Sequence, residues 1–336
     1  MTRSVQRGLL LAGIGCFVLL SWSYGDEVVA ALRQAELRYF LAYFVVSVVV
    51  RVALVARWQA IDEAMRMQLP VRRLAVARLA ADAMATISPA GRLSADPLRV
   101  VLLTGTGERT SRLAAGVALD RMIETFGNTV AALTYVAVFS AMRSGEREVL
   151  AGIAAAMAVA FVALTATLIG LARGHQPFAP VYWVVEWSEI RWLRVGAIAA
   201  RRAERHIREL LHIQPWLAIG AILGSVGIEA LIVVEYALLY RAFGAMVDIP
   251  MVMLSLLIGG VSRAAPTPGG VGAFEASQVA AFGAAMGRPD LGFTVGVITR
   301  VHELLWAAIG FLVLPMAGIR RRDLRSDAVA GKPTGG

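Results

Sequence analysis

Apolar residues gather along this chain into blocks near the length of about 20 that a helix needs to cross a bilayer. Six blocks are long enough, at roughly 8–24, 38–56, 116–141, 149–172, 216–240 and 292–317. The first follows Arg3 and Arg7 as a secretory leader would. Trp22 and Tyr24, however, stand where a small cleavage residue belongs, and Cys16 lacks the leucine of a lipoprotein box. It reads as the first membrane helix.

Arginine bias orients these blocks. Arg3 and Arg7 start inside, and Asp26, Glu27 and Glu36 lie in an outer loop. Arg57, Arg66, Arg72, Arg73 and Arg78 are inside again, as are the arginines of 186–213 and Arg320, Arg321, Arg322 and Arg325 of the tail. Under the positive-inside rule both termini are then cytoplasmic. Parity forces residues 72–115 to begin and end inside, and 242–291 to begin and end outside. Each region holds two short apolar arms around a polar break. One break runs from Ser88-Pro89-Ala90-Gly91 through Asp96-Pro97, and the other is Pro266-Thr267-Pro268-Gly269-Gly270. Arms of about 14–17 residues reach roughly 21–25 Å, short of a full crossing. Two readings fit: a pair of re-entrant hairpins entering from opposite faces, or two ordinary helix pairs. Paired breaks of the first kind mark transport sites near the midplane. The fold class is therefore all-α, a polytopic membrane protein with about six full spans plus two broken or re-entrant hairpins of opposite orientation. One transmembrane domain covers 1–319, and a basic, disordered cytoplasmic tail covers 320–336.

Composition agrees with this. The 336 residues are 58% hydrophobic and 17% charged, with a mean hydropathy of +0.66. The net charge of +9 is almost all arginine in loops, which suits topology and lipid surfaces rather than nucleic acid. One cysteine excludes an intrachain disulfide, and four scattered histidines offer no metal spacing. Neither a cofactor fingerprint nor a nucleophile motif is present, so no cofactor, no metal and no catalysis are expected. Along 201–213, Arg201, Arg202, Arg205 and Arg208 oppose Ile207, Leu210 and Leu211. That face fits a helix on the inner leaflet or a solvated connector.

Charges inside the spans are the candidate chemistry. Glu229 falls mid-span in 216–240 and Glu235 lies farther along, where a charge costs about 2.5–3.5 kcal/mol on insertion scales. Arg263 and Arg300 are available partners, with His302 and Glu303 beside Arg300. Asp120, Arg121 and Glu124 form a cluster opening the third span, where Arg121 and Glu124 can pair within one helix. Arg51 can snorkel or face the interior. These groups are either packing ion pairs or the lining of a hydrated cavity. Gly269 and Gly270, ahead of a half-helix bearing Glu275, would present bare N–H groups to an anion.

Pro266-Thr-Pro-Gly-Gly-Val-Gly-Ala-Phe-Glu275 resembles the Pro-x-Pro-Gly-Gly-x-Gly-x-x-Glu signature of the lysylphosphatidylglycerol synthase transmembrane family. Ser94-Ala-Asp-Pro-Leu-Arg99 resembles that family's Gly-Gly-Glu-Pro-x-Arg, with Ser94-Ala95 for Gly-Gly and Asp96 for glutamate. Ala118-Leu-Asp120-Arg121 resembles its Glu-Arg element, again with aspartate. The resemblance spans most of residues 8–317 and implies a flippase-like protein of the bacterial cytoplasmic (inner) membrane. It also implies a stand-alone member without the aminoacyl-transferase domain. The expected substrate is a polar or phosphate-bearing lipid, held in a cavity of Arg99, Arg121, Glu229, Arg263, Gly269, Gly270, Glu275 and Arg300. Asp96, Asp120, Glu124, Pro266, Pro268 and Glu303 shape it. Expected partners are membrane lipids and a lipid-biosynthetic enzyme. Alternatives are a membrane enzyme acting on a lipid phosphate, or an accessory subunit that does not transport.

Overall fold

The computed structural model describes residues 36–88, 92–142, 147–186, 191–262 and 270–317, with the isolated positions Trp22 and Arg33. The expected span at 8–24, the break residues Pro89 to Gly91, Arg263, Pro266, Pro268, Gly269 and the tail 320–336 lie outside these. The described residues form eleven α-helices and no strand. They are α1 (Leu37–Ala64), α2 (Val71–Ile87), α3 (Arg92–Leu103), α4 (Thr110–Met142), α5 (Arg147–Ala172) and α6 (Ala179–Glu186). Then come α7 (Arg191–Ile213), α8 (Pro215–Ala242), α9 (Ile249–Ser262), α10 (Ala273–Met286) and α11 (Pro289–Val313). Five helices are long and apolar enough to cross a membrane: α1, α4, α5, α8 and α11. They match the other five expected spans. The protein is an all-α, multi-pass membrane protein.

Local sequence explains the boundaries. Pro215 and Pro289 occupy the first turns of α8 and α11, where a missing N–H costs nothing and φ is already helical. Gly287 ends α10 in the left-handed conformation at φ 66°, and the turn satisfies the carbonyls of Gly283 and Phe282. The two interrupted regions contain short arms: 17 residues in α2 and 14 each in α9 and α10 fall in the expected range, while α3 is shorter at 12.

Three expectations need correction. The first break is narrower than its sequence suggests, because Asp96 and Pro97 sit inside α3. Position 97 is only the sixth residue of that helix, so proline removes a single hydrogen bond, one turn from the start. Second, α4 starts at Thr110 rather than 116, which carries Asp120 and Glu124 about 15–21 Å into the helix at 1.5 Å per residue. Third, the basic segment 201–213 is the end of a longer helix, α7, whose apolar face is spent inside the protein. Ala203, Ile207, Leu210 and Leu211 are buried in a core with α4 and α5, while Arg201, Arg202 and Arg205 face outward.

α1 runs along α8, α4 crosses α8, and α11 packs against α10 on one side and α2 on the other, tying the two hairpins together. Apolar packing divides into two large cores and a small cluster of Val50, Leu54 and Ile228. One core gathers Trp58, Leu74, Leu103, Leu113, Ile123, Ile207 and Leu211. The other gathers Tyr43, Phe139, Tyr240, Met251, Phe282 and Val295. Lipid tails are as apolar as leucine, so these cores hold by close packing rather than by expelling water. Small residues make that possible. A Cβ on Gly127 of α4 would sit 2.7 Å from Cβ of Ser225 on α8, so only glycine lets these helices touch. Buried charges are set among these core residues along the chain, Arg57 beside Trp58, Asp120 beside Leu119 and Glu235 beside Tyr236.

Candidate functional site

On α4, Asp120, Glu124 and Asn128 recur every four residues and so share one face. Around the first two the fold gathers arginines from three helices: Arg57 of α1, Arg78 of α2 and Arg99 of α3. All three are buried, as are Asp120 and Glu124. Arg57 donates to Asp120 Oδ1 from Nε (3.0 Å) and Nη2 (2.8 Å), to Glu124 at 3.1 Å and to Ser225 Oγ at 3.0 Å. Arg78 donates to Asp120 Oδ2 at 2.9 Å and Glu124 Oε2 at 2.6 Å. Arg121, half-buried, donates to Glu124 at 2.9 Å, the pair its spacing predicts. Charge-assisted bonds this short are the strong ones.

Arg99 is held differently. It reaches Asp82 at 3.3 Å, Asp120 at 3.4 Å and Asp96 at 3.8 Å, its Nε, like that of Arg78, has no hydrogen-bond partner, and its guanidinium lies 5.4 Å from the Trp58 ring centre. Two of its three acids sit at the rim, the side chain of Asp82 being 44% and that of Asp96 28% exposed. Arg121 also approaches Asp96, at 3.7 Å. A fully enclosed guanidinium with only long contacts is the cation of this cluster that least resists a new anion.

A second group forms where α10 meets α11. Gly270 and Gly272 have φ of 71° and 82°, which only glycine adopts without strain, and this turn starts α10. Glu275 reaches back to the Gly272 N–H at 2.7 Å, while its other oxygen accepts from Arg300 Nε at 2.7 Å. Arg300 also donates to Glu303 at 2.6 Å and lies over Phe274 at 5.0 Å. Here the carboxylate of Glu275 itself occupies the end of the half-helix, where the sequence suggested an outside anion would sit.

A third group joins α1, α8 and α11. Ser47 donates to the buried carboxylate of Glu235 at 2.5 Å, with Arg51 at 3.9 Å and His302 at 3.8 Å. Arg51 faces inward over the Trp306 ring, 4.6 Å away, rather than snorkelling. Its Nη2 stands 3.3 Å from His302 Nε2. A guanidinium only donates, so Nε2 accepts and the ring proton is on Nδ1, 2.6 Å from the Tyr43 hydroxyl.

Glu229, half-buried on α8, accepts from the exposed side-chain amide of Asn128 at 2.6 Å when that amide is oriented to satisfy its neighbours. Arg300 is committed to Glu275 and Glu303, so it does not pair with Glu229. Ser225 lies one turn before Glu229 on the same face of α8. A further turn back, that face closes an apolar cleft of about 260 Å³ between α4, α5, α7 and α8, lined by Phe126, Leu168, Leu211, Ala218 and Ile222 among others. One face of a single helix thus passes from an apolar slot to polar groups.

The expected cavity residues therefore divide. Arg99, Arg121, Asp96, Asp120 and Glu124 come together; Gly270 and Glu275 at the start of α10 meet Arg300 and Glu303 of α11; Glu229 stands with Asn128. Sequence reasoning missed Arg57 and Arg78 by counting them as loop charges. The signal was present. Trp58 and Ile61 continue the apolar spacing of Leu54 past Arg57, which keeps that stretch inside the bundle.

Compared with known families, residues 7–310 match the one described as Lysylphosphatidylglycerol synthase TM region. The comparison with curated proteins gave no match.

Proposed function

The chain belongs to the lysylphosphatidylglycerol synthase transmembrane family, and from that premise we propose that it moves a phosphate-bearing lipid between leaflets. The observation that carries this reading is Arg99, a buried guanidinium in a cluster of four arginines with only long contacts to its acids. A planar guanidinium suits a phosphate bidentately. In this reading Asp82 and Asp96, at the rim, swing aside, and the phosphate takes their place on Arg99 and Arg121. Arg57 and Arg78, tied down by Asp120 and Glu124, position the cluster. Acyl or isoprenoid tails stay in lipid and enter the slot between α5 and α8. The Glu275–Arg300 pair serves as a latch that holds α10 to α11.

The reading is transport rather than catalysis. Asp120 and Glu124 are each held by at least three arginines, so their oxygens are already engaged by donors. We place the protein in the bacterial inner membrane with Arg66 of the α1–α2 turn and Arg72 and Arg73 at the start of α2 in the cytoplasm. A lipid-biosynthetic enzyme on that side would supply the substrate.

Proteoliposomes with a headgroup-labelled anionic phospholipid and an impermeant quencher test this. Wild type should transfer the lipid, Arg99→Lys should retain part of the rate, and Arg99→Gln should lose it at matched insertion. Equal rates for all three would sink the proposal, and no transfer by wild type would favour an accessory role.

A further inference from the structure

Asp62 lies two residues before the end of α1 and takes no part in the pairs described above. It is 2% exposed, and neither carboxylate oxygen has a hydrogen-bond partner. The chain turns back over it. Met67 N–H bonds the Asp62 carbonyl at 2.9 Å, Arg66 adopts a left-handed backbone at φ 56°, and Arg112 donates to the Met65 carbonyl. Gly116 of α4 forms the floor, where an added Cβ would run into the Asp62 carboxylate and stand 3.1 Å from Met67 Cε.

The charges that act on Asp62 most strongly are acidic, Asp120 on α4 and Glu108 just before it. Neighbouring cations are engaged elsewhere. Arg57 on α1 holds Asp120 and Glu124, Arg78 on α2 holds the same two, and Arg112 holds Glu108 at 2.9 Å. Arg66 in the turn faces outward. An ionised carboxylate with neither donor nor counter-charge is unstable in such a place, whereas the neutral acid is tolerated.

From this geometry we infer that Asp62 is a proton-binding site. It keeps its proton while the turn from Met65 to Leu69 is closed over it, and releases it to entering water when the turn lifts. The same turn leads through Pro70 into α2, which carries Arg78 to Asp120 and Glu124. Loss of the proton is thereby linked to the position of α2 and to the arginine cluster. This link to lipid movement rests on the transport reading; the proton site does not.

Infrared spectra of the whole chain in lipid nanodiscs, with 13C-carboxyl aspartate, test the site. An aspartic-acid band should be present at acidic pH, disappear on alkalinisation and be missing from Asp62→Asn. For one proton the change is no steeper than about tenfold per pH unit. Identical spectra for wild type and variant, or a band that persists at every pH, would overturn the inference. If Asp62→Asn fails to insert, Asp62→Glu makes the same assignment by removing its signal from the labelled set. In proteoliposomes, wild-type transfer should vary with pH and Asp62→Asn transfer should not. Wild-type transfer independent of pH would overturn the link while leaving transport intact. A titrating band without any transfer would keep the proton site and remove the transport reading.

Discussion

Removing Asp120 should cost more stability than removing Arg78, and the two losses should not add. Asp120 accepts from Arg57 at 2.8 and 3.0 Å, from Arg78 at 2.9 Å and from Arg99 at 3.4 Å. Asp120→Asn leaves the buried Arg57 and Arg78 sharing Glu124, and leaves Arg99 with only the rim acids Asp82 and Asp96. Breaking a buried pair from one side costs about 3–5 kcal/mol, and this case belongs at the upper end. Arg78→Met removes two charge-assisted bonds, but Asp120 keeps Arg57 and Arg99, and Glu124 keeps Arg57 at 3.1 Å and Arg121 at 2.9 Å. Its cost is about 3 kcal/mol, at the lower end of the same range. The double variant removes one charge of each sign, so it should be less damaged than the sum by up to about 3 kcal/mol, the span measured for residues in one network. Reversible unfolding of the four proteins in mixed micelles measures this cycle. Costs that add to within about 0.5 kcal/mol would show that the groups act independently. A harmless Asp120→Asn would contradict the charge balance described here.

Other positions give sharper local tests. Gly127→Ala should destabilise by about 1–3 kcal/mol through overpacking against Ser225, and Ser225→Gly should restore part of that loss in the same unfolding assay. Glu275→Gln can still cap Gly272 but weakens the Arg300 contact, whereas Glu275→Ala loses both, so the alanine variant should unfold more readily. Topology is checked by thiol labelling in a Cys16→Ser background. Met246→Cys, at an exposed site, should react from outside, and Gln68→Cys, also exposed, from inside. The reverse pattern would invert the orientation.

The helices were legible because a membrane span advertises itself: five expected spans appear at nearly their expected positions. At the described edges of the breaks, Ser88 follows the end of α2 and Gly272 caps the start of α10, while Asp96 and Pro97 sit inside α3, since proline near a helix start leaves no lasting mark in the backbone. The site was legible only in halves. Arg99, Asp120, Arg121 and Glu124 lie in regions whose motifs or span position drew attention to them. Arg57 and Arg78 looked like topology signals because a sequence does not show which arginines turn inward once helices pack. Glu229 and Arg300 looked like partners because both are mid-span charges, yet they face different neighbours. Pairing between distant helices depends on rotation about each axis, and two residues' difference in register decides it.

The central claim is that a lipid phosphate engages Arg99 and Arg121 inside the bundle. Solid-state NMR distance measurements between the lipid 31P and 15N-labelled guanidinium groups, on protein reconstituted in an anionic phospholipid, address it directly. Dephasing that reports a phosphorus within a few ångströms of arginine nitrogen is predicted for wild type and for Arg208→Gln, which alters a partly exposed arginine on α7 outside the cluster. It should fall sharply in the Arg99→Gln, Arg121→Gln double variant. Dephasing that survives the double variant unchanged, or that vanishes with Arg208→Gln, would place the phosphate at the surface and contradict the account.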